Sequence, residues 1–184
     1  ADDVYGRLNN TKPVENRDPF IAEGPHTLAL VELVEFTHQT HGPAARATFE
    51  VLTSRVHPVG SRVCKLWFLC KPSKFASQTT DADRFADFCR KLKGAPENYA
   101  IGNDIRVLMK ERPAEQLARG KVIEAVGVNT SKKADKPYVE VRWAHVPQDP
   151  ASIAQVRARL EASISRASQA TPEPMPPGAQ PGYG

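Results

Sequence analysis

The chain has 184 residues, enough for one domain with a sizeable hydrophobic core and flanking segments but too few for two such domains. Its formal charge of +4, from 25 Lys and Arg against 21 Asp and Glu, permits a polyanionic partner without requiring one. No apolar run approaches the ~20 residues of a membrane span, and the N-terminus lacks signal-peptide character, so we expect an intracellular protein, in the host cytoplasm if the chain is viral.

The first half of the chain reads as an arm followed by three strands. Residues 1–23 are polar, and we interpret them as an N-terminal arm that is ordered only against the domain or a partner. Strand-like runs follow at 27–36, 45–53 and 61–70.

These three runs differ in how clearly their sides can be assigned. The middle run alternates regularly, with Phe49 on one side and Arg46 on the other. In the first run Leu30 and Val34 share a side, but apolar residues also occupy the other side, so we expect burial on both sides of its middle. Neither side of the third run is cleanly polar, so the side on which Trp67 lies stays open.

An amphipathic helix is predicted over 81–92, where apolar residues recur every three or four positions. Thr80 or Asp81 can accept the free amide protons of its first turn, and Gly94 can end it in the left-handed conformation. We expect this helix to cover one end of the domain.

The second half of the chain alternates helical and strand-like segments. A short helix is predicted around 105–109 and a single turn over 113–118, followed by strand-like runs at 121–128 and 137–146. A last helix, 148–167, has an acidic cap and a proline at its first position, and could pack on the domain or self-associate through 150–167. The Pro-rich and Gly-rich tail, 168–184, is predicted to be disordered.

This order of elements is typical of one β fold. We predict a mainly β (β+α) domain over 24–147, a five-stranded OB-like barrel with a helix between strands 3 and 4 and a C-terminal helix after it. Such barrels bind oligonucleotides or oligosaccharides on the surface of strands 2 and 3 and on the loops that join strands 1 to 2 and 4 to 5.

Signatures of an enzyme are scarce. The sequence contains no phosphate-binding loop, dinucleotide-binding glycine motif, nucleophile elbow or zinc-protease motif, so we predict no catalysis and no cofactor. His38 and His41 lack partners at metal-binding spacing, and no metal is predicted. Three cysteines are an odd number without close pairing, which favours a reducing compartment. A small hydrolase or nuclease would need clustered carboxylates, and those on the predicted helix look simply solvated.

Polar loops and strand surfaces carry the binding hypothesis. Lysines at the tip between the last two strands can follow phosphates, and histidines between the first two can stack on bases. Lys65 beside Trp67 offers a cation and a stacking ring on one strand, although ordinary surface charge is the alternative for any single cation. The predicted nucleic-acid-binding residues are His38, His41, Arg46, Arg62, Lys65, Trp67, Lys132, Lys133, Lys136, Tyr138 and Arg142.

Several short phrases resemble those of small phage-encoded OB-fold single-stranded-DNA-binding proteins. They are Phe49-Glu50-Val51-Leu52, the glycine before the third strand, FCRKLKG, ARGKVIEAVGV and YVEVRWAHV, within about 24–147. The resemblance implies a non-catalytic protein that coats single strands in phage replication or recombination, with proteins of those processes as partners. The Pro-rich tail departs from the acidic, Phe-tipped tail of the bacterial binders.

Two function classes follow. The leading hypothesis is a sequence-tolerant single-stranded-DNA-binding protein without metal or turnover. The alternative is a structural or accessory protein of a virus particle, whose terminal arms become ordered against neighbouring subunits. Neither hypothesis involves a membrane.

Overall fold

The computed structural model describes residues 18–71, 78–131, 135 and 138–169, with side chains up to residue 162. The strands are β1 (Gly24–His38), β2 (Gly42–Ser54), β3 (Arg62–Phe68), β4 (Val122–Asn129) and β5 (Val139–His145). The helices are α1 (Asp81–Lys93), α2 (Gly102–Lys110) and α3 (Pro150–Gln169), with a single 3₁₀ turn at Pro113–Glu115. The order of elements therefore agrees with the prediction from the sequence.

The five strands form one antiparallel sheet in the order β3-β2-β1-β4-β5. Within the described residues no ladder joins the edge strands β3 and β5, so the sheet is not closed into a barrel. The helices have 13, 9 and 20 residues, which makes the fold mixed α/β rather than the predicted mainly β.

An aromatic cluster fills the inner face of the sheet. Phe88 of α1 stacks on Trp67 of β3 at 4.9 Å between ring centroids and lies 4.6 Å from Trp143 of β5. The centroid of Phe49 on β2 lies 5.5 Å from that of Trp143. Since rings from both edge strands meet under α1, the sheet must curve around this helix.

Helix α1 has the ends that its sequence predicts. The Thr80 hydroxyl accepts the amide proton of Asp83 while the Asp83 carboxylate accepts that of Thr80, a complete capping box. Gly94 ends the helix at a φ of +78°, a conformation that favours glycine. Its apolar stripe, Phe85, Phe88, Cys89 and Leu92, is buried as predicted.

Strand β1 is irregular, and this decides which side chains face outward. Its middle is buried on both sides, as predicted. Register shifts lie between Thr27 and Leu28 and between Leu30 and Glu32. Beyond the second shift Leu33 enters the core with Leu30, whereas Val34 turns to the opposite face. The expectation that Val34 shares the side of Leu30 is therefore wrong, because a bulge inserts one residue and inverts the alternation.

A side chain takes the place of a strand beside the second half of β1, where its pairing with β4 has ended. The Gln116 amide accepts the Leu33 amide proton at 2.9 Å and donates to the Leu33 carbonyl at 2.6 Å. Nearby, Gly120 donates to the Leu30 carbonyl at 2.8 Å and Leu30 donates to that of Lys121 at 2.9 Å. On this side, where β4 no longer pairs with β1, the backbone of β1 is thereby held without a neighbouring strand.

Helix α3 reaches the side of β2 opposite the aromatic cluster through Arg159, and its Ile153 and Arg157 lie beside Gly120. Asp149 caps it by accepting the Ser152 amide proton at 2.7 Å, as predicted. Arg159 forms an ion pair of 2.9 Å with the nearly buried Glu50, which alternates with Phe49 along β2, and Leu160 is fully buried. Self-association through this helix stays a prediction. Among the described residues, no helix combines the length and apolar character that crossing a membrane requires.

Candidate nucleic-acid interface

A groove of about 490 Å³ crosses the outer face of β1, β2 and β3. It is lined by Asp18, Phe20, Glu32, Val34, Phe36, His38, Arg46, Thr48, Cys64 and Leu66. On β2 and β3 these residues alternate with the buried core residues, so the groove and the core share the same strands from opposite sides.

The strand register arranges the groove floor in rows. One row runs from Val34 through Arg46 to Leu66. The next row runs from Glu32 through Thr48 to Cys64. Apolar, cationic and acidic side chains therefore alternate across the floor, with neighbours in adjacent rows roughly 7–8 Å apart.

The end of the predicted arm forms one wall of the groove. Cys64 of β3 donates its amide proton to the Pro19 carbonyl at 2.9 Å and accepts that of Ile21 at 3.3 Å, which places Phe20 in a parallel bridge. Ile21 is buried in the core, whereas Phe20 is 60% exposed. Residues 18–23 are therefore attached along β3, and residues 1–17 lie outside the described part.

A ring cluster stands at the end of the groove near the β1–β2 turn. The His38 and His41 rings stack at 5.1 Å between centroids, and Phe68 lies 5.2 Å and 4.6 Å from them. His38 Nδ1 accepts the amide protons of Thr40 and His41, which fixes its ring. The Lys71 ammonium lies 6.0 Å from the centre of the Phe68 ring.

Four of the predicted binding residues come together on this side of the molecule. His38 and Arg46 line the groove, and His41 stacks on His38 beside it. Arg62 pairs with Glu50 in the β2–β3 register and alternates onto the groove side of β3. These four residues therefore share the outer side of the sheet, where three of them lie at the groove and Arg62 lies outside its lining.

Trp67 and Lys65 lie on the other side of β3. Trp67 is 0% exposed inside the aromatic cluster, so its predicted role as a stacking platform is wrong. Lys65 alternates to the same side, near the first turn of α1, where burial lowers the pKa of its ammonium and Asp81 only partly offsets this. The two residues share a side as predicted, but it is the core side.

The remaining predicted residues lie apart from the groove floor or outside the described residues. Tyr138 is exposed over about half of its surface, as expected. The pKa of its hydroxyl is raised, first because the rest of the side chain is buried and second because the Asp81 carboxylate lies nearby. Arg142 is exposed on β5, where its pairing partner is Val126 of β4. The lysine loop, Lys132, Lys133 and Lys136, lies outside the described residues, so its role stays a prediction.

The groove also contains residues outside the predicted binding set. Phe20 lies in a segment interpreted as a loose arm, and Glu32 follows the bulge in β1. Phe36 is 36% exposed at the outer end of β1. In the sequence, each of the two phenylalanines borders a polar stretch, which is a local sign that its ring could be exposed. Their positions in one groove follow from strand pairing, which the sequence does not reveal.

Chemically, the surface offers rings, a guanidinium and carboxylates. Within the described residues, no group of three or more His, Cys, Asp and Glu side chains is placed so that it could hold a metal ion.

Comparisons of the chain with protein-family models and with curated proteins give no match.

Proposed function

We propose that this protein binds single-stranded DNA with little sequence dependence, without metal or turnover, and that its curved, open sheet is a variant of the partly open OB barrel. Bases would occupy the groove across β1, β2 and β3. The setting would be phage-type DNA replication or recombination, which rests on the resemblance of the sequence phrases.

One observation carries the proposal. Phe20 and Phe36 are exposed in a groove that also holds Arg46, on the strand surface and beside the β1–β2 turn that OB folds use for oligonucleotides. Exposed rings stack on any base, and nearby cations neutralise phosphates, which together give affinity for single strands of any sequence. The His38, His41 and Phe68 cluster extends this stacking surface past the end of the groove.

The test is fluorescence anisotropy of a labelled single strand of ~30 nucleotides against the matching duplex, over a salt series. We expect tight, salt-sensitive binding to the single strand and at least about tenfold weaker binding to the duplex. The variant Phe36→Ala should weaken single-strand binding by ~1–3 kcal/mol, or roughly 5- to 150-fold.

The matched control is Val107→Ala, which removes an exposed apolar side chain from α2, outside the groove. Equal affinities for the two variants would remove the groove from the binding site. No binding to the single strand at low salt would overturn the proposal, and sedimentation of the full chain would then test assembly into a particle.

A further inference from the structure

The groove combines hydrogen-bond acceptors with a donor instead of presenting cations alone. Glu32 and Asp18 bring carboxylates to it, and Arg46 brings a guanidinium. Among the described residues, none of these three side chains is held in an ion pair or a side-chain hydrogen bond. Within the part of the chain that the structure describes, all three are therefore available to a ligand.

A carboxylate repels phosphates but accepts hydrogen bonds from the edges of bases. Cytosine and adenine each carry an exocyclic amine, whereas thymine presents a carbonyl oxygen and a methyl group at the corresponding position. Glutamate is a recognised acceptor for the cytosine amine, and arginine donates to the acceptor atoms of bases. The mixture in the groove thus matches a base that has both an amine and acceptors.

Glu32 is the better fixed of the two acidic residues. It lies on the central strand directly after a bulge, and both backbone groups of the next residue, Leu33, are held by Gln116. Asp18 lies at the end of the attached arm, where its own backbone carbonyl accepts the Cys64 thiol proton. A side chain anchored on a paired strand keeps a defined geometry, which selection between bases requires.

We propose that Glu32 determines base preference, so that the groove favours bases with an exocyclic amine over thymine. This inference rests on the proposed function, because it assigns the chemistry of the same groove. Arg46, one residue row away, carries five N–H donors, so its guanidinium can donate to the acceptors of the same base and also contact the neighbouring phosphate.

The test compares oligo-dC with oligo-dT of equal length by competition anisotropy at mildly alkaline pH. For the native chain we expect dC to bind at least about tenfold more tightly than dT, the effect of one good base contact. Glu32→Gln should reduce that ratio to about twofold or less, mainly by strengthening dT binding, because the substitution removes a negative charge beside the strand.

The matched control is Glu124→Gln, which removes an exposed carboxylate from β4 and should leave the ratio unchanged. Equal affinities of the native chain for dC and dT would overturn the base preference while leaving single-strand binding intact. A ratio that survives Glu32→Gln would overturn the role of Glu32. Absence of binding to both strands would remove the proposed function and this inference with it.

Discussion

Acidification should loosen the wall of the groove through one histidine. His57, in the turn between β2 and β3, accepts the Ala22 amide proton on Nε2 at 3.0 Å and so holds the arm to the sheet. Burial lowers the pKa of His57, and His26, whose ring centre lies 5.4 Å away, lowers it further. A protonated Nε2 is a donor and cannot accept the Ala22 proton.

The sign of the effect follows from that lowered pKa. The attached arm requires neutral His57, so the contribution of this contact is complete above the ordinary histidine pKa of ~6.5 and is lost as the pH falls through the lower value in the folded chain. One net hydrogen bond is worth ~0.5–1.5 kcal/mol, which makes release of the arm roughly 2- to 10-fold more frequent. The two backbone bonds to Cys64 do not titrate and limit the effect to this size.

Further hydrogen bonds link the groups around His57. His26 Nε2 donates to the Ala22 carbonyl at 2.8 Å, and its Nδ1 lies 2.8 Å from the Ser54 hydroxyl. Ser54 also accepts the amide protons of Val56 and His57 through its oxygen. Of these groups, His57 is the one that accepts a backbone proton of the arm.

The assay is amide hydrogen exchange at Ile21, Ala22 and Cys64 by NMR, corrected for intrinsic rates, between about pH 7.5 and about pH 5. We expect protection of these amides to fall by the factor above in the native chain. His57→Gln should abolish the pH dependence, because the glutamine oxygen accepts the Ala22 proton at any pH. Unchanged protection in the native chain, or the same loss in His57→Gln, would refute the reasoning.

Two further predictions test the groove and the packing. Arg46→Gln should flatten the log–log salt dependence of single-strand binding by about 0.7, the value for one phosphate contact, and an unchanged slope in the salt series would place Arg46 away from the backbone. In a thiol-reagent assay the exposed Cys70 should react fast, whereas the buried Cys64 and Cys89 should react only after unfolding. Burial also raises the pKa of the Cys89 thiol to about 12, which keeps it protonated. A second fast-reacting thiol would contradict the fold.

Elements with local signals were predictable from the sequence. Helix α1 carries its cap at Thr80, its apolar stripe and its terminal Gly94 within one short stretch, and the structure has all three. Strand β2 alternates regularly from Ala45 to Val51, so the inward side of Phe49 and the outward side of Arg46 are as predicted. In both cases each residue's environment depends mainly on its neighbours in the chain.

Features that depend on distant residues were not predictable. The edge of β1 is held by Gln116, 83 residues from Leu33 in sequence, and no local pattern indicates this pairing. The bulge after Leu30 changes the side on which every later residue of β1 lies, although the residues around it are all acceptable in a regular strand. On β3 both sides are partly apolar, because one faces the core and the other faces the groove and the arm.

The packing of the inner face determines where a ligand surface can lie. Trp67, Phe88 and Trp143 fill the space under α1, so the rings that make the sheet stable are closed to bases. The opposite face exposes Phe20 and Phe36 although burying them would be favourable by ~2 kcal/mol each. Single exposed apolar residues need no explanation, but two rings in one groove beside Arg46 mark a surface that gains stability by covering them. The proposed site therefore lies on the face that exposes these two rings.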